Sequence, residues 1–195
     1  MSTFKPASLV VILLTLFVVA IGSANATPFL NLANGHYYDV VSVPYMTWHE
    51  ARIAASELTH GGYSGHLATV TSQAENAFIV NTFDFAALTN KWLGAFQADA
   101  SKVDDGWEWI TGEAWSYTSW NGGEPNNLYY TGYSYEDALT YWSNGLWNDA
   151  PSAWNQYASG GYVVEFSPVP EPASMLLLGA GLVGLAAFRK RIRKG

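Results

Sequence analysis

Along residues 36–58 the apolar positions change their period. The run HYYDVVSV at 36–43 is dense in aromatic and β-branched residues and predicts a strand. Directly after it, Trp48, Ala51, Ala55 and Leu58 recur three and four apart, which is one face of an α-helix, and Thr47 with Glu50 supplies a capping box at its start. Gly61-Gly62 is expected to end that helix, and residues 66–70 to run extended. Ser72 with Glu75 repeats the capping-box spacing and opens a second helix, with Ala74, Ala77, Phe78 and Val80 expected to face inward. Beyond Asn90 the pattern breaks into short strands at 92–96, 107–110, 138–142 and 162–166. Between them, residues 114–134 are rich in Gly, Asn, Tyr and Trp and follow neither period, and a loop of this length in a compact domain usually carries function. Two helices followed by strands, with one long irregular segment, make an α+β domain without internal repeats.

Both ends of the chain read as addresses. Lys5 precedes an apolar run at 9–21, and Ala24-Asn25-Ala26 follows in the small-x-small pattern of a signal peptidase site, so residues 1–26 are expected to be a signal peptide and Thr27 the mature start. Thirteen apolar residues are too few for a helix that must cross about 30 Å of hydrocarbon. At the other end, Pro170-Glu171-Pro172 leads into an apolar segment at 173–188 and a basic tail at 189–195. A basic cluster after an apolar helix stays cytoplasmic, which places the segment between the two runs on the other side of the membrane. Residues 168–195 resemble the PEP-CTERM sorting signal of Gram-negative bacteria, which implies an exosortase as partner, a short transmembrane helix at 173–188, and residence at the cell surface or in an exopolysaccharide matrix.

The chain has 195 residues, 49% hydrophobic and 13% charged, which allows one ordinary domain and excludes a disordered polyampholyte. Six of its nine basic residues lie within the first five or last seven positions, leaving Arg52, Lys91 and Lys102 against all 16 acids, a formal charge of −13 for residues 27–172. Such a body is repelled by phosphate backbones, so nucleic acid is excluded as a partner, and it suits divalent cations or neutral ligands. Cysteine is absent, so an exported domain must be held by packing, to which nine tryptophans contribute.

Oxygen-bearing side chains gather late in the chain, at Glu124-Pro125-Asn126, Glu136-Asp137 and Trp147-Asn148-Asp149. Calcium takes six to eight oxygen ligands, and carboxylates and amides converging from a loop and a strand nearly fill that shell. A cis bond at Pro125 would set both flanking side chains toward one point. The same carboxylates accept, and the amides donate, hydrogen bonds to sugar hydroxyls.

At these residues the chain resembles a C-type lectin-like domain. The resemblance runs through Trp48 with Ala51, the stretch Gly65-His66-Leu67-Ala68-Thr69-Val70 with Ser72 and Glu75, Trp92-Leu93-Gly94, Trp107-Glu108-Trp109, Trp120, Glu124-Pro125-Asn126, Trp147-Asn148-Asp149 and Tyr162-Val163-Val164-Glu165. It implies two helices, small antiparallel sheets and a long ligand-binding loop region over 36–167, with residues 27–35 as linker. It further implies that Glu124, Asn126, Glu136, Asn148 and Asp149 hold calcium and, through it, a polysaccharide or other glycan with vicinal equatorial hydroxyls, and that Trp147 lies in the core beneath. Three departures stand out. Ala138 and Val164 occupy positions where the family has cysteines, the 127–135 run is longer than usual, and Asn127 stands where an auxiliary calcium site would need an acid. Asp105 and Asp137 are the candidate remnants of that auxiliary site.

Other readings compete. Glu124 and Asp149 can be written as the acid and base of a glycosidase, but the body is small for a hydrolase and the resemblance points to binding, not catalysis. A calcium-independent adhesive or structural matrix protein with a protein partner is the second alternative. Tyr129, Tyr130, Tyr133 and Tyr135 form either a stacking platform for sugar rings or a loop packed on itself. Trp107 and Trp109 share one face of a strand and are expected in the core, and His36, His49, His60 and His66 are expected to be structural or exposed.

Overall fold

The computed structural model describes residues 27–99 and 102–167. The N-terminal apolar run, the Pro-Glu-Pro motif, the apolar segment at 173–188 and the basic tail lie outside the described residues. Among those described, no helix is long and apolar enough to cross a membrane. In chain order the elements are β1 (Phe29–Asn31), β2 (His36–Ser42), α1 (Trp48–Glu57), β3 (Thr59–His60), β4 (Tyr63–Leu67), α2 (Gln73–Thr82), α3 (Phe85–Leu88), β5 (Trp92–Gln97), β6 (Trp107–Trp109), β7 (Ala138–Tyr141), β8 (Trp147–Ala150) and β9 (Gly161–Phe166). The α+β class and its C-type lectin-like arrangement are as the sequence implies, with a third short helix added.

Helix α1 starts at its capping box, with the Thr47 hydroxyl accepting from the Glu50 amide and the Glu50 carboxylate from the Thr47 amide at 2.9 Å. Trp48, Ala51 and Ala55 are buried along its inner face. The glycine pair does not end this helix, which stops at Glu57. Gly61 and Gly62, with φ of 61° and 89°, form the two-residue turn of the β3–β4 hairpin, where His60 faces Tyr63 and only glycine takes both conformations without cost.

Helix α2 corrects the expected inner face. Ser72 caps it, but Ala74 and Ala77 are exposed while Glu75, Asn76 and Ile79 are buried. The reason is the set of donors below it. Asn76 Oδ1 accepts from the Tyr141 hydroxyl at 2.8 Å and the Trp147 indole at 3.3 Å, and Glu75 accepts from the Tyr38 hydroxyl at 2.5 Å. Buried aromatic donors need acceptors, so the polar positions of the helix turn inward.

The sheet runs β1-β2-β9-β5-β7-β8, with β4 also on β9 and β6 on β5. Strand β9 is central: β2 flanks its whole length on one side, and β4 and β5 share the other. Among the named strands of the described residues only the β5–β9 pair is parallel, and every residue of β9 is buried. The segment taken as linker, 27–35, contains β1, which pairs with β2 from Phe29 opposite Tyr38 to Asn31 opposite His36.

Two apolar layers lie on either side. Under α2, Tyr38, Leu139 and Tyr141 pack with Trp107, Trp109 and Trp147. Under α1, Trp48, Leu67, Trp92 and Val164 pack together, and the two indoles donate to the carbonyls of Leu93 and Met46 at 2.8 Å each. Ala138 and Val164 are fully buried in this second layer. A Cβ on Gly65 would lie 2.5 Å from the Ala55 carbonyl oxygen, so that glycine is what lets α1 settle on β4.

His36, Glu75 and Glu165 meet between β2, α2 and β9, with their ligand-capable atoms within 4.8 Å of one another. His36 Nδ1 lies 2.7 Å from Glu165 Oε1. Glu165 Oε2 accepts from the Thr69 amide at 2.9 Å, and Glu75 Oε2 from the Thr71 amide at 2.7 Å. The pairing with Glu165 raises the His36 pKa, while burial raises that of Glu75. Both carboxylates are thus served by protein donors, and the cluster ties the three elements together.

Candidate functional site

The loop that carries Glu124 is stitched along the outer strand. Trp147 donates its amide to the Ser119 carbonyl at 2.8 Å, Asn121 to the Trp147 carbonyl at 2.9 Å, and Glu124 to the Asn121 carbonyl at 2.9 Å. The Glu124–Pro125 bond is cis. Beneath this run the Trp147 ring is packed against Trp109, Trp115, Tyr117 and Trp120, with centroids 5.5 to 5.9 Å away. Trp147 is fully buried and forms the floor of the region.

Glu124, Asn126, Glu136 and Asn148 line one cavity of about 270 Å³. Asp149 lies fully buried beside it, accepting from the amides of Asn126 and Asn127 at 3.3 and 2.9 Å. Glu136 Oε2 and Asn126 Oδ1 both accept from the Leu128 amide, at 2.9 and 3.2 Å, so the loop turns around these two side chains. The Asn148 amide nitrogen donates to the Asp149 carbonyl. The two auxiliary candidates are not drawn in. Asp137 is taken by the amide and hydroxyl of Ser152 at 2.5 and 3.0 Å, and Asp105 is exposed and paired with Lys102 at 3.2 Å.

All three carboxyl groups are held above their usual range. Burial is the main cause at Glu124, and the neighbouring Asp149 charge adds to it. Burial also raises Asp149, and it pushes Glu136 up to about 8, with Asp149 and Glu124 contributing. None of the three basic side chains among the described residues answers them. Arg52 sits over the Trp48 ring, Lys91 donates to the Ser159 carbonyl and Lys102 pairs with Asp105. Glu124 Oε2 is buried without a hydrogen-bond donor. A site made of carboxylates and amides, with a buried acceptor left over and no counter-charge, fits a hard divalent cation such as calcium.

The wall of the cavity is aromatic. Tyr130, Trp142, Trp154 and Tyr157 line it together with the oxygen donors. Sequence reasoning singled out Tyr130 but not the other three, although Trp154 and Tyr157 stand one helical-turn spacing apart just after the Trp147-Asn148-Asp149 motif. The tyrosine-rich loop is packed on itself and on Trp154. Tyr129 meets Tyr135 with centroids 5.2 Å apart, and Tyr130 and Tyr133 meet Trp154 at 5.0 and 4.9 Å. Trp107 and Trp109 are core residues, and of the histidines His66 is buried between the Leu67 carbonyl and the Ser167 hydroxyl.

Comparison with known proteins agrees with this architecture. Residues 45–158 match the Lectin C-type domain family and residues 168–191 the PEP-CTERM protein-sorting motif. Lectin BRA-3 of Megabalanus rosa is 36% identical over 118 residues, which covers 58% of this chain and 67% of that lectin. Halomucin of Haloquadratum walsbyi is 31% identical over 150 residues, 68% of this chain but 1% of that protein, so the chain spans a small fraction of this relative's length. Among solved structures, the C-type lectin CEL-I from Cucumaria echinata superposes with a TM-score of 0.53 at 23% identity, covering 68% of this chain and 90% of its own, a likeness of fold. The sorting motif marks the chain for export and the cell surface. With a cavity of oxygen donors held on a lectin-like sheet, and with that family matched across most of the described residues, the chain belongs to the C-type lectin domain family.

Proposed function

We propose that the domain binds calcium through Glu124, Asn126, Glu136, Asn148 and Asp149 and, through the ion, a glycan with vicinal hydroxyls, as part of a polysaccharide at the cell surface or in its matrix. The observation that carries this reading is the crowding of three raised carboxyl groups around a cavity that none of the three basic side chains among the described residues enters. A bound cation offsets their repulsion and offers its remaining coordination positions to sugar oxygens, which the amides and carboxylates also hydrogen-bond. Sorting by an exosortase and passage through the membrane by residues 173–188 belong to the same proposal.

The arrangement argues against a glycosidase. Asp149 is fully buried beside the cavity, whereas both members of a hydrolytic pair must reach a glycosidic bond from its two sides. A protein-binding adhesive role has one observation in its favour, the exposed tip formed by Leu128, Tyr129 and Tyr135.

The deciding experiment is thermal unfolding of the purified protein with calcium and with a chelator. A ligand held only by the folded state at one hundred times its Kd adds about 2.7 kcal/mol, here a rise of about 5–10 °C. Asp149→Ala abolishes the rise if the reading is right. An unchanged melting temperature at millimolar calcium refutes it and directs attention to the tyrosine-bearing tip.

A further inference from the structure

The cavity is lined by aromatic side chains as well as by oxygen donors, and the two kinds of residue come from different parts of the hairpin and its flanks. Its floor is one face of the β7–β8 hairpin, where Thr140 faces Asn148 and Ala138 faces Ala150. Asn148 lies at the centre. Trp142, two residues beyond Thr140, stands at one end, roughly 7 Å along the strand direction. In the opposite direction along the hairpin, Ala150 and Pro151 lead into a turn that carries Trp154, whose amide donates to the Pro151 carbonyl at 2.8 Å.

The two indoles are prepared differently. Trp142 is 41% exposed and has no ring partner among the described residues, so one face of it is open to the cavity. Its position is fixed by the hairpin turn, through its amide to the Leu146 carbonyl at 2.7 Å and its own carbonyl from the Gly145 amide at 3.1 Å. Trp154 is half-buried and braced by Tyr130, Tyr133 and Tyr157, with centroids 4.9 to 6.1 Å away. Neither ring is needed to hold a cation.

Resting on the calcium and glycan reading above, we propose that Trp142 and Trp154 form flanking subsites on either side of the metal-bridged sugar, so that the protein recognises an internal stretch of a neutral, linear polysaccharide and not a chain end alone. Apolar faces of the neighbouring sugar units lie on the two indoles while the central unit engages the oxygen donors. Neutrality follows from charge. The cavity lining holds carboxylates and no basic side chain, so a uronic acid next to the central unit finds no cationic partner there and meets repulsion.

The test is equilibrium binding to the full-length protein in saturating calcium. The probes are a panel of neutral glycans, including the methyl glycosides of mannose, glucose and fucose and the linear trisaccharides of mannose and glucose. For the sugar that binds, the trisaccharide is expected to bind about tenfold more tightly than the methyl glycoside, a difference of about 1.4 kcal/mol, the size of one good ring contact. Trp142→Ala brings that ratio close to one, and Trp154→Phe, which keeps a ring in the brace, lowers it in part. The calcium-dependent rise in melting temperature persists in both variants, which verifies that the fold and the ion site survive. Equal affinity for methyl glycoside and trisaccharide, with calcium-dependent binding of both, overturns the flanking subsites and leaves the calcium and glycan reading standing. A calcium-dependent melting shift with no binding of any glycan in the panel overturns both.

Discussion

Two groups of carboxylates lie along the same sheet path, one at its centre and one at its β8 edge, and they are finished in opposite ways. Around β2, α2 and β9, Glu75 and Glu165 receive Tyr38, Thr69, Thr71 and His36, so each buried oxygen has a donor or a counter-charge supplied by the chain itself. Around β8, Glu124, Glu136 and Asp149 gather, with Glu124 Oε2 lacking a donor, all three carboxyl groups held up by burial, and Glu124 and Glu136 raised further by their acidic neighbours. Burial is common to both groups. The difference is who supplies the compensation, and a chain that leaves it out at one place relies on something from outside to provide it.

Mutations that remove one carboxylate from each group should therefore act with opposite signs. The largest effect is expected at Glu165→Ala, which strands the Thr69 amide and His36 inside the core and should cost about 3 kcal/mol in urea unfolding. If that variant is as stable as the wild type, the idea of an internally completed cluster is wrong.

The next effect in size is a pH dependence to which both groups contribute, only one of them through calcium. Glu136 has a folded pKa of about 8 against 4.5 for an ordinary glutamate. Below about pH 4.5 it is protonated whether folded or not. As pH rises from there through 8 the unfolded chain ionises first, so the stability of the calcium-free protein falls across that window. His36 adds a loss of the same sign, since its raised folded pKa gives stability that is full below 6.5 and disappears as pH rises through the folded value. Calcium separates the two. Urea midpoints at pH 6 and 8.5 should lie closer together in calcium than in chelator, and His36→Asn should narrow the difference that remains in calcium. A slope identical with and without calcium would dissolve the distinction.

A smaller change, and of unusual sign, is expected for Glu124→Gln without calcium. Relief of repulsion against Asp149 leaves the variant equal to the wild type or more stable by up to about 1 kcal/mol, while its calcium response is lost. The smallest is Asp105→Asn on the exposed Lys102 pair, for which both the melting temperature and the calcium shift should stay where they are.

What the sequence made legible follows from locality. The capping box of Thr47 and Glu50, the alternation of Trp107, Glu108 and Trp109, and the order of strands all rest on neighbours within a few residues, and all reappear in the fold. The inner face of α2 was not legible, because the donors that turn Glu75 and Asn76 inward come from Tyr38, Tyr141 and Trp147, 37 to 71 residues away. For the same reason β1 was hidden, since three residues of strand are recognisable only beside β2. At the candidate site, the motif spacing singled out the side chains that line the cavity, but not that Asp137 turns away to Ser152. Nor did it reveal Trp142 and Trp154, whose place depends on the hairpin and on the packing of the tyrosine-rich loop.

The central place of β9 has a consequence for the order of events in the cell. The strand that β2, β4 and β5 all require is the last of the twelve elements, and Tyr37 waits for Phe166, 129 residues later. A chain emerging N-terminus first cannot close its sheet until nearly the whole domain has been delivered, so folding by such long-range pairing comes late and slowly. The sorting motif begins at residue 168, directly behind that strand. Completion of the described fold and delivery of the sorting motif thus become neighbouring steps in time.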